Sequence, residues 1–527
     1  MKNQSLTMLR RSRWLSAAAV LAATVTTAVA QNPLLPPTAF VPDGEPDVFE
    51  YQGQKRLFIY GSRDERVTAY CGYGHDAWSA PIDDLTQWTN HGEIFNVSQV
   101  QEIGYGKVDE QHFGAPDCVY NPVLKKYFLY TFLGMAYKLD GVEGPASDAP
   151  GTIPGFGEYG PKCVVAESDS PAGPFVNPRI CDWPALNGAG AFDPSVAVVP
   201  QADGTVRVYA YWGMRKGDCW AELDPNDMCT IIDGRTRKPD RTAWYRTLNN
   251  PELNRHTTLF EASSIKQVAP DKFVFICSSN QFSSALTYFY SNSPEGPWTY
   301  GGIIAENRTG WRGGNNHGSI VRVGDQWYVV YHRSTCNDYN RQAMIEPIEV
   351  RIEGDRVVIP QVEMTSQGIF ADGLDPFRRY YAGTIAYQSG GYIAGSLRQP
   401  DGLNPVVVVG RTPAIGWKYF NFDALCSAGQ RGRVTLKLHM QAAQADARMK
   451  IFVIAPEDWG KPDRYRLLYE CSLSKHLKAD GEFHEVKLPM NELLKQGVDG
   501  KKALLIQFDA PENKEVCRLK EIEFTRS

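Results

Sequence analysis

Between residues 43 and 333 the chain states one hydrophobic–polar pattern five times: an isolated acidic or imidazole side chain, then, 11 to 16 residues on, a run packed with aromatic and β-branched residues. The copies are Asp43 before LFIYGS (57–62), Asp117 before YFLYTF (127–132), Asp193 before VRVYAYWG (206–213), Glu261 before KFVFICSS (272–279) and His317 before QWYVVYHR (326–333). Short apolar runs of this composition predict buried strands, and no long stretch carries the 3.6-residue period of an amphipathic helix. A strand-rich unit recurring every 55 to 80 residues predicts a radial all-β fold with one blade per copy. The innermost strands of such a fold start around a common axis. The polar residue heading each copy is therefore expected to meet the others in one central pocket.

A second repeat has the same implication. SAPIDDLTQWTNHG (79–92), SDSPAGPFVN (168–177) and SNSPEGPWTYGG (291–302) each read as a strand end, a Ser/Pro/Gly turn and a bulky aromatic (Trp88, Phe175 or Trp298) opening the next strand. The segment 368–395 breaks this rhythm and reads as a connection. From about residue 385 the strands shorten and alternate (VVVVG, RVTLKLHM, RMKIFVIA, HEVKLP, ALLIQF, LKEIEF), which predicts an antiparallel β-sandwich of roughly 140 residues. MNELLKQG (490–497) is expected to form a turn or two of helix. The expected domains are thus 31–370 and 385–527.

Residues 1–30 stand outside both. Lys2, Arg10, Arg11 and Arg13 precede the apolar stretch WLSAAAVLAATVTTAVA, which ends in the small-x-small site Ala28-Val29-Ala30, the pattern of a secretory signal peptide. Its removal takes the formal charge from −5 to −9, and the expectation is an exported, mildly acidic protein, periplasmic or secreted. Such a balance gives no electrostatic case for nucleic acid or an anionic membrane, and no other apolar run reaches membrane-spanning length. Eleven cysteines leave at least one unpaired within the chain. Cys277 lies within a predicted core strand. Cys219 and Cys229, which flank the acidic loop WAELDPNDM, are placed to close a disulfide after export. No C-x-x-C pair suggests zinc.

Three of the five heads are carboxylates. Inverting glycoside hydrolysis asks for such a set: a carboxylate base to activate water, a carboxylic acid to protonate the leaving oxygen, and a nearby charge to keep that acid protonated. The surrounding motifs are VPDGEPDVFEYQGQKRLFIYGSRD (41–64), FGAPDCVY (113–120), AFDPSVAVV (191–199), LFEASSIKQV (259–268), GNNHGSIVRVGDQWYVVYHR (314–333) and EPIEV with PQVEMTSQG (346–368). Together, and in this order, they resemble glycoside hydrolase family 43 over about residues 33 to 370. The resemblance implies a five-bladed β-propeller and an exo-acting, inverting glycosidase. By it, Asp43 is the general base, Asp193 in FDPSV the pKa-tuning acid and Glu261 in FEASS the general acid. Gly44 stands where the family usually has Pro, and Asp47 is a rival base. Taken alone, Asp43 is ordinary turn chemistry, Asp193 a loop cap and Glu261 a surface charge.

The remaining heads carry two readings each. Asp117 either bonds backbone amides near the axis or contacts substrate. His317 is a structural histidine or, as the resemblance implies, lies beneath the pocket near a central calcium ion, held through water. Arg333 and Arg341 are candidates to hold the acids' charges or a sugar hydroxyl, or are surface cations. No organic cofactor is expected. The resemblance puts α-L-arabinofuranosidase first, then β-D-galactofuranosidase or β-D-xylosidase, on plant-type polysaccharides or oligosaccharides. A propeller that binds glycan without cutting it is the competing class. The insertion 134–160 is expected to wall one side of an exo-type pocket. GYIAG (391–395) and GWKYFNFD (416–423) resemble strands of carbohydrate-binding modules, with bracing of the propeller as the alternative role for the sandwich.

Overall fold

The five aromatic runs are the second strands of five antiparallel sheets in a computed structural model. It describes residues 32–527 apart from 67–68, 106–110, 135–160, 184–190, 215–218, 235, 238–259, 280–284, 307–315, 336–338, 371, 385–386, 390–391, 396–404, 459–460 and 462. The signal-peptide stretch and nearly all of the 134–160 insertion lie outside the described residues. The first sheet is β1 (Glu45–Tyr51), β2 (Gln54–Tyr60), β3 (Gly74–Pro81) and β4 (Thr89–Asn96). The second is β5 (His112–Asn121), β6 (Lys126–Gly134), β7 (Lys162–Ser168) and β8 (Val176–Cys181), and the third β9 (Ser195–Pro200), β10 (Val206–Trp212) and β11 (Cys219–Leu223). The fourth is β12 (Glu261–Ala269), β13 (Lys272–Ser278), β14 (Ala285–Ser291) and β15 (Thr299–Glu306), the fifth β16 (Gly318–Val323), β17 (Gln326–Ser334) and β18 (Arg341–Ile348).

The first strands of the sheets neighbour one another in the order β1, β5, β9, β12, β16 and back to β1, so the sheets close into a five-bladed propeller. Closure is reinforced by the chain's own start. Leu34 N donates to Ala343 O, and the Asn32 carboxamide accepts from Ile345 N and donates to Ile345 O, which lays residues 32–34 along the edge of β18.

The second sequence repeat joins neighbouring blades. Trp88, Phe175 and Trp298 are each fully buried between sheets. Tyr60 of blade one donates its hydroxyl to Pro171 O, and Tyr211 of blade three donates to Pro294 O in the matching turn, both at 2.5 Å. The bulky aromatic fills the wedge between two blades, and the tyrosine hydroxyl satisfies a turn carbonyl that would otherwise be stranded there.

The C-terminal part is a sandwich of two antiparallel sheets around an apolar core that includes Val434, Leu436, Met449, Ile451, Ile506 and Phe524. It begins earlier than the alternation suggested. Leu374 is already in that core, and strand Arg379–Tyr381 pairs with Glu515–Arg526. The helical turn at Asn491–Leu494 is present, and Trp417 and Phe420 of the GWKYFNFD motif are core residues, 2% and 0% exposed. Ile454, Ala503 and Leu505 of the sandwich join Met344, Tyr331 and Ile348 of blade five in one apolar cluster, and Lys418 pairs with Glu363 beside it. These contacts give the sandwich the geometry of a brace.

The cysteine expectation needs correction. Cys219 is fully buried opposite Trp212 in β10, whereas the Cys229 sulfur lies 2.9 Å from that of Cys181. The acidic loop folds back on the edge of blade two, so the pair the fold offers is Cys181 with Cys229.

Candidate active site

At the start of blades one to three the chain bends through the left-handed backbone region: Asp43 at φ 57°, Ala115 at 44° and Asp193 at 47°; in blade four Ala262, at 68°, follows Glu261. Non-glycine residues held there cost about 1 kcal/mol or more each, the kind of strain that collects at functional sites. The kink turns the head residue toward the axis at the start of the blade. Asp43 and Asp193 are 4% and 3% exposed, while Glu261 is partly accessible. Asp193 Oδ2 accepts the Ala262 amide at 2.7 Å, which joins the head of blade three to that of blade four. His317 Nδ1 sits between two of the acids, 3.7 Å from Asp43 Oδ1 and 3.8 Å from Asp193 Oδ2. Four of the five predicted heads therefore share one cluster.

Asp43 is held from every side. Arg341 Nη1 donates to Oδ1 at 2.9 Å, Ser62 Oγ donates to Oδ2 at 2.6 Å, and the Asp43 amide donates to His332 Nδ1 at 3.0 Å. Ser62 in turn accepts the Ala115 amide, tying blade one to blade two. Burial disfavours the charged form, but the Arg341 guanidinium above all outweighs it and holds the Asp43 carboxyl well below the usual carboxylate range. Asp43 is ionised across the working range. Arg341 is itself clamped by Asp64, which takes its Nε, Nη2 and backbone amide at 2.9, 2.9 and 3.0 Å, and the exposed Tyr70 ring lies 4.8 Å from its guanidinium. Such a fork fixes the plane of the guanidinium as well as its position.

Asp193 behaves oppositely. Burial first, then the charges of Glu261 and Asp43, push its carboxyl well above the ordinary range, against the pull of the Ala262 amide and Arg341. Burial and like charge thus leave a proton with Asp193, in the pair it makes with Glu261, where Asp43 has lost its own. One ionised carboxylate facing a proton-holding pair is the division of labour that base-and-acid chemistry requires.

Two expected site residues lie elsewhere. Asp117 is not the counterpart of Asp43. A bulge in β5 makes Ala115 the head of blade two and drops Asp117 a tier lower, where its Oδ2 accepts from Ser195 Oγ and Val196 N. It is 1% exposed and bonded to blade three, out of reach of a sugar. Arg333, also buried, alternates with His332 along β17 and so faces away from the acids, with its Nη2 against Met344 Sδ and its charge felt by Tyr331 and Glu346. Asp47 is two strand steps below Asp43, with Oδ1 accepting its neighbour's amide, and is excluded as base.

The pattern along the sequence passed over Ser62, Asp64 and His332. Ser62 ends an aromatic run, Asp64 follows it by two residues, and His332 is next to last in the fifth run. Because the second strand of a blade returns antiparallel to the first, its end comes back beside the head residue. Gly61 permits this return, since a Cβ there would lie 2.4 Å from Pro42 O.

The described residues do not suit a calcium ion at the axis. Among them no three His, Cys, Asp or Glu side chains are arranged to hold a metal. Burial lowers the His317 pKa to about 4, and its Nδ1 faces Asp43 and Asp193. Calcium takes six to eight oxygens, whereas the axis below His317 holds the Lys266 ammonium, 3.2 Å from Glu45 Oε2.

Sequence comparison agrees with the geometry. The family model described as "Glycosyl hydrolases family 43" matches residues 46–355. A protein named "Xylosidase/arabinosidase" from Thermoclostridium stercorarium is 33% identical over 376 residues, 67% of this chain and 71% of that protein. An "Arabinoxylan arabinofuranohydrolase" from Paenibacillus polymyxa is 27% identical over 263 residues, 45% of this chain and 39% of the relative. Among solved structures, a glycoside hydrolase family 43 arabinoxylan arabinofuranohydrolase from Bacillus subtilis is 20% identical with a TM-score of 0.44, covering 93% of this chain and 97% of its own.

Proposed function

Because the chain belongs to the glycosyl hydrolases of family 43, we propose that it is an exported, exo-acting, inverting glycosidase that releases single terminal α-L-arabinofuranose units from plant-type polysaccharides or oligosaccharides. Asp43 draws a proton from a water that attacks the anomeric carbon. Glu261, the accessible member of the pair with Asp193, delivers its proton to the leaving oxygen, and Asp193 keeps that proton available until the bond breaks. The observation that carries this reading is the opposed state of the acids: Arg341 and Ser62 hold Asp43 charged, while burial and like charge load the pair with a proton.

Arabinofuranose as the sugar is supported by the names of the relatives, one of which combines arabinosidase with xylosidase and another of which is an arabinofuranohydrolase. The same names favour β-D-xyloside as a second substrate. The test is turnover of nitrophenyl α-L-arabinofuranoside, β-D-xyloside and β-D-galactofuranoside by wild type, Asp43→Asn and Glu261→Gln, followed by product analysis on arabinoxylan. Arabinose release by wild type alone supports the proposal. Wild type that binds these glycans and cuts none of them makes the propeller a glycan-binding module instead.

A further inference from the structure

One tier beneath the acids, each innermost strand offers one polar side chain to the axis: Glu45 from β1, Asp117 from β5, Ser195 from β9, Ser264 from β12 and Ser319 from β16. They bond to one another around the hub. Ser195 Oγ donates to Asp117 Oδ2 at 2.9 Å and accepts Ile265 N at 3.1 Å, and the hydroxyls of Ser264 and Ser319 meet at 2.7 Å. Glu45 is 3% exposed, and Asp117 Oδ1 meets no hydrogen-bond donor among the described residues. Two buried carboxylates facing one axis require a counter-charge.

Lys266 supplies it. Its Nζ stands 3.2 Å from Glu45 Oε2 and 3.9 Å from Asp47 Oδ2, and donates to Pro46 O at 3.3 Å. The strands it links are informative. β12 begins with the acid Glu261, and β1 follows directly on the base Asp43, yet β1 and β12 are not neighbours in the ring, because β16 lies between them. The Lys266–Glu45 pair therefore crosses the axis and ties the strand of the acid to the strand of the base.

We propose that Lys266 is the resident cation of the hub: its tethered ammonium balances Glu45 and Asp117 where a divalent metal would otherwise do so, and the enzyme fixes the spacing of Asp43 and Glu261 without calcium. A metal entering this tier would meet the ammonium as a like charge, and it would find Asp117 Oδ2 and the serine hydroxyls already engaged. Lys266 is a positioning residue, since it touches neither the acids nor the sugar pocket. The activity arm of its test rests on the glycosidase reading above; the other arms do not.

Wild-type protein dialysed against a chelator should contain no stoichiometric calcium by elemental analysis, and should keep its melting temperature and kcat. One calcium per chain, or activity lost to chelator and restored by calcium, overturns the proposal. Lys266→Met should melt several degrees lower and lose kcat tenfold or more with little change in KM. Roughly millimolar calcium should raise its melting temperature but not that of wild type. A variant equal to wild type, or one that calcium leaves unmoved, overturns the proposal. If Lys266→Met alone does not fold, Glu45→Gln/Lys266→Met should, because it removes both charges together; a double variant no more stable than the single overturns the pairing. Metal content and melting are read without substrate. They decide this inference even where no pentofuranoside is cut, a result that would count against the proposed function alone.

Discussion

Replacing Arg341 with Met should give the enzyme an acid limb that wild type lacks. In wild type Asp43 stays charged far into acid, so the base itself sets no lower limit on kcat/KM before the fold fails. The strongest opposition to the burial of Asp43 is Arg341, 2.9 Å away. An adjacent opposite charge lowers a carboxyl pKa by about 1 to 3 units, worth roughly 1.4 to 4 kcal/mol at 1.36 kcal/mol per unit. Its loss lifts Asp43 by about that much, from far in the acid toward the ordinary carboxylate range. The base must be ionised to act, so the rate falls as pH falls, and the limb should appear at the acid end of the profile, at higher pH than in wild type. A stability effect accompanies this, because Asp64, 1% exposed, is stranded without its guanidinium. Breaking such a pair costs about 3 to 5 kcal/mol. Arg341→Met/Asp64→Asn removes the stranded charge and should recover much of the melting temperature while keeping the acid limb. The assay is kcat/KM against pH on nitrophenyl α-L-arabinofuranoside, beside thermal melting of each variant. A wild-type-like profile in both variants, or a limb that disappears with the recovered stability, refutes the assignment of Asp43 as a base governed by Arg341.

Three further outcomes are expected. Asp43→Asn and Glu261→Gln should each lower kcat by about a hundredfold to ten-thousandfold while glycan binding persists in calorimetry; loss of binding with kcat intact would remove them from the chemistry. Glu346, buried beside Thr365 and Asn32, is pushed by burial up to about 8. The folded state then holds a proton that the unfolded chain releases above about pH 4.5, so stability falls as pH rises from there toward 8, by up to about 1.4 kcal/mol per unit. Glu346→Gln should flatten that slope, and an unchanged slope in denaturant titrations would show that the group does not titrate so. Treatment with a diazene oxidant or a disulfide of low molecular mass should take two electrons and two protons from Cys181 and Cys229. Peptide mapping should find that bridge and not one between Cys219 and Cys229.

How far the sequence reached depended on the range of the physics involved. The aromatic runs, the Ser-Pro-Gly turns and the blade count were legible because each is written locally, in strand propensity and turn chemistry. Asp43, Asp193 and Glu261 were legible because they head those local units. Asp117 bonds a backbone amide near the axis, the first of its two readings, but a β-bulge, invisible in composition, shifts the register of one strand and moves its carboxylate a tier below the other heads. Arg333 was misjudged by one residue of alternation, since neighbours on a strand face opposite ways and His332 took the inward position. Ser62, Asp64 and the Lys266–Glu45 pair depend on which strands meet around an axis, a property of closure and not of any segment.

The central claim is that Asp43 activates water while the Glu261–Asp193 pair protonates the leaving oxygen, in a single displacement. Proton NMR of the first sugar released from a nitrophenyl or natural arabinofuranoside tests it most directly, if followed before the anomers equilibrate. The account predicts that the β-anomer of arabinose appears first from an α-linked substrate. First appearance of the α-anomer would mean that one of the acids bonds to the sugar, and the division of roles drawn here would be wrong.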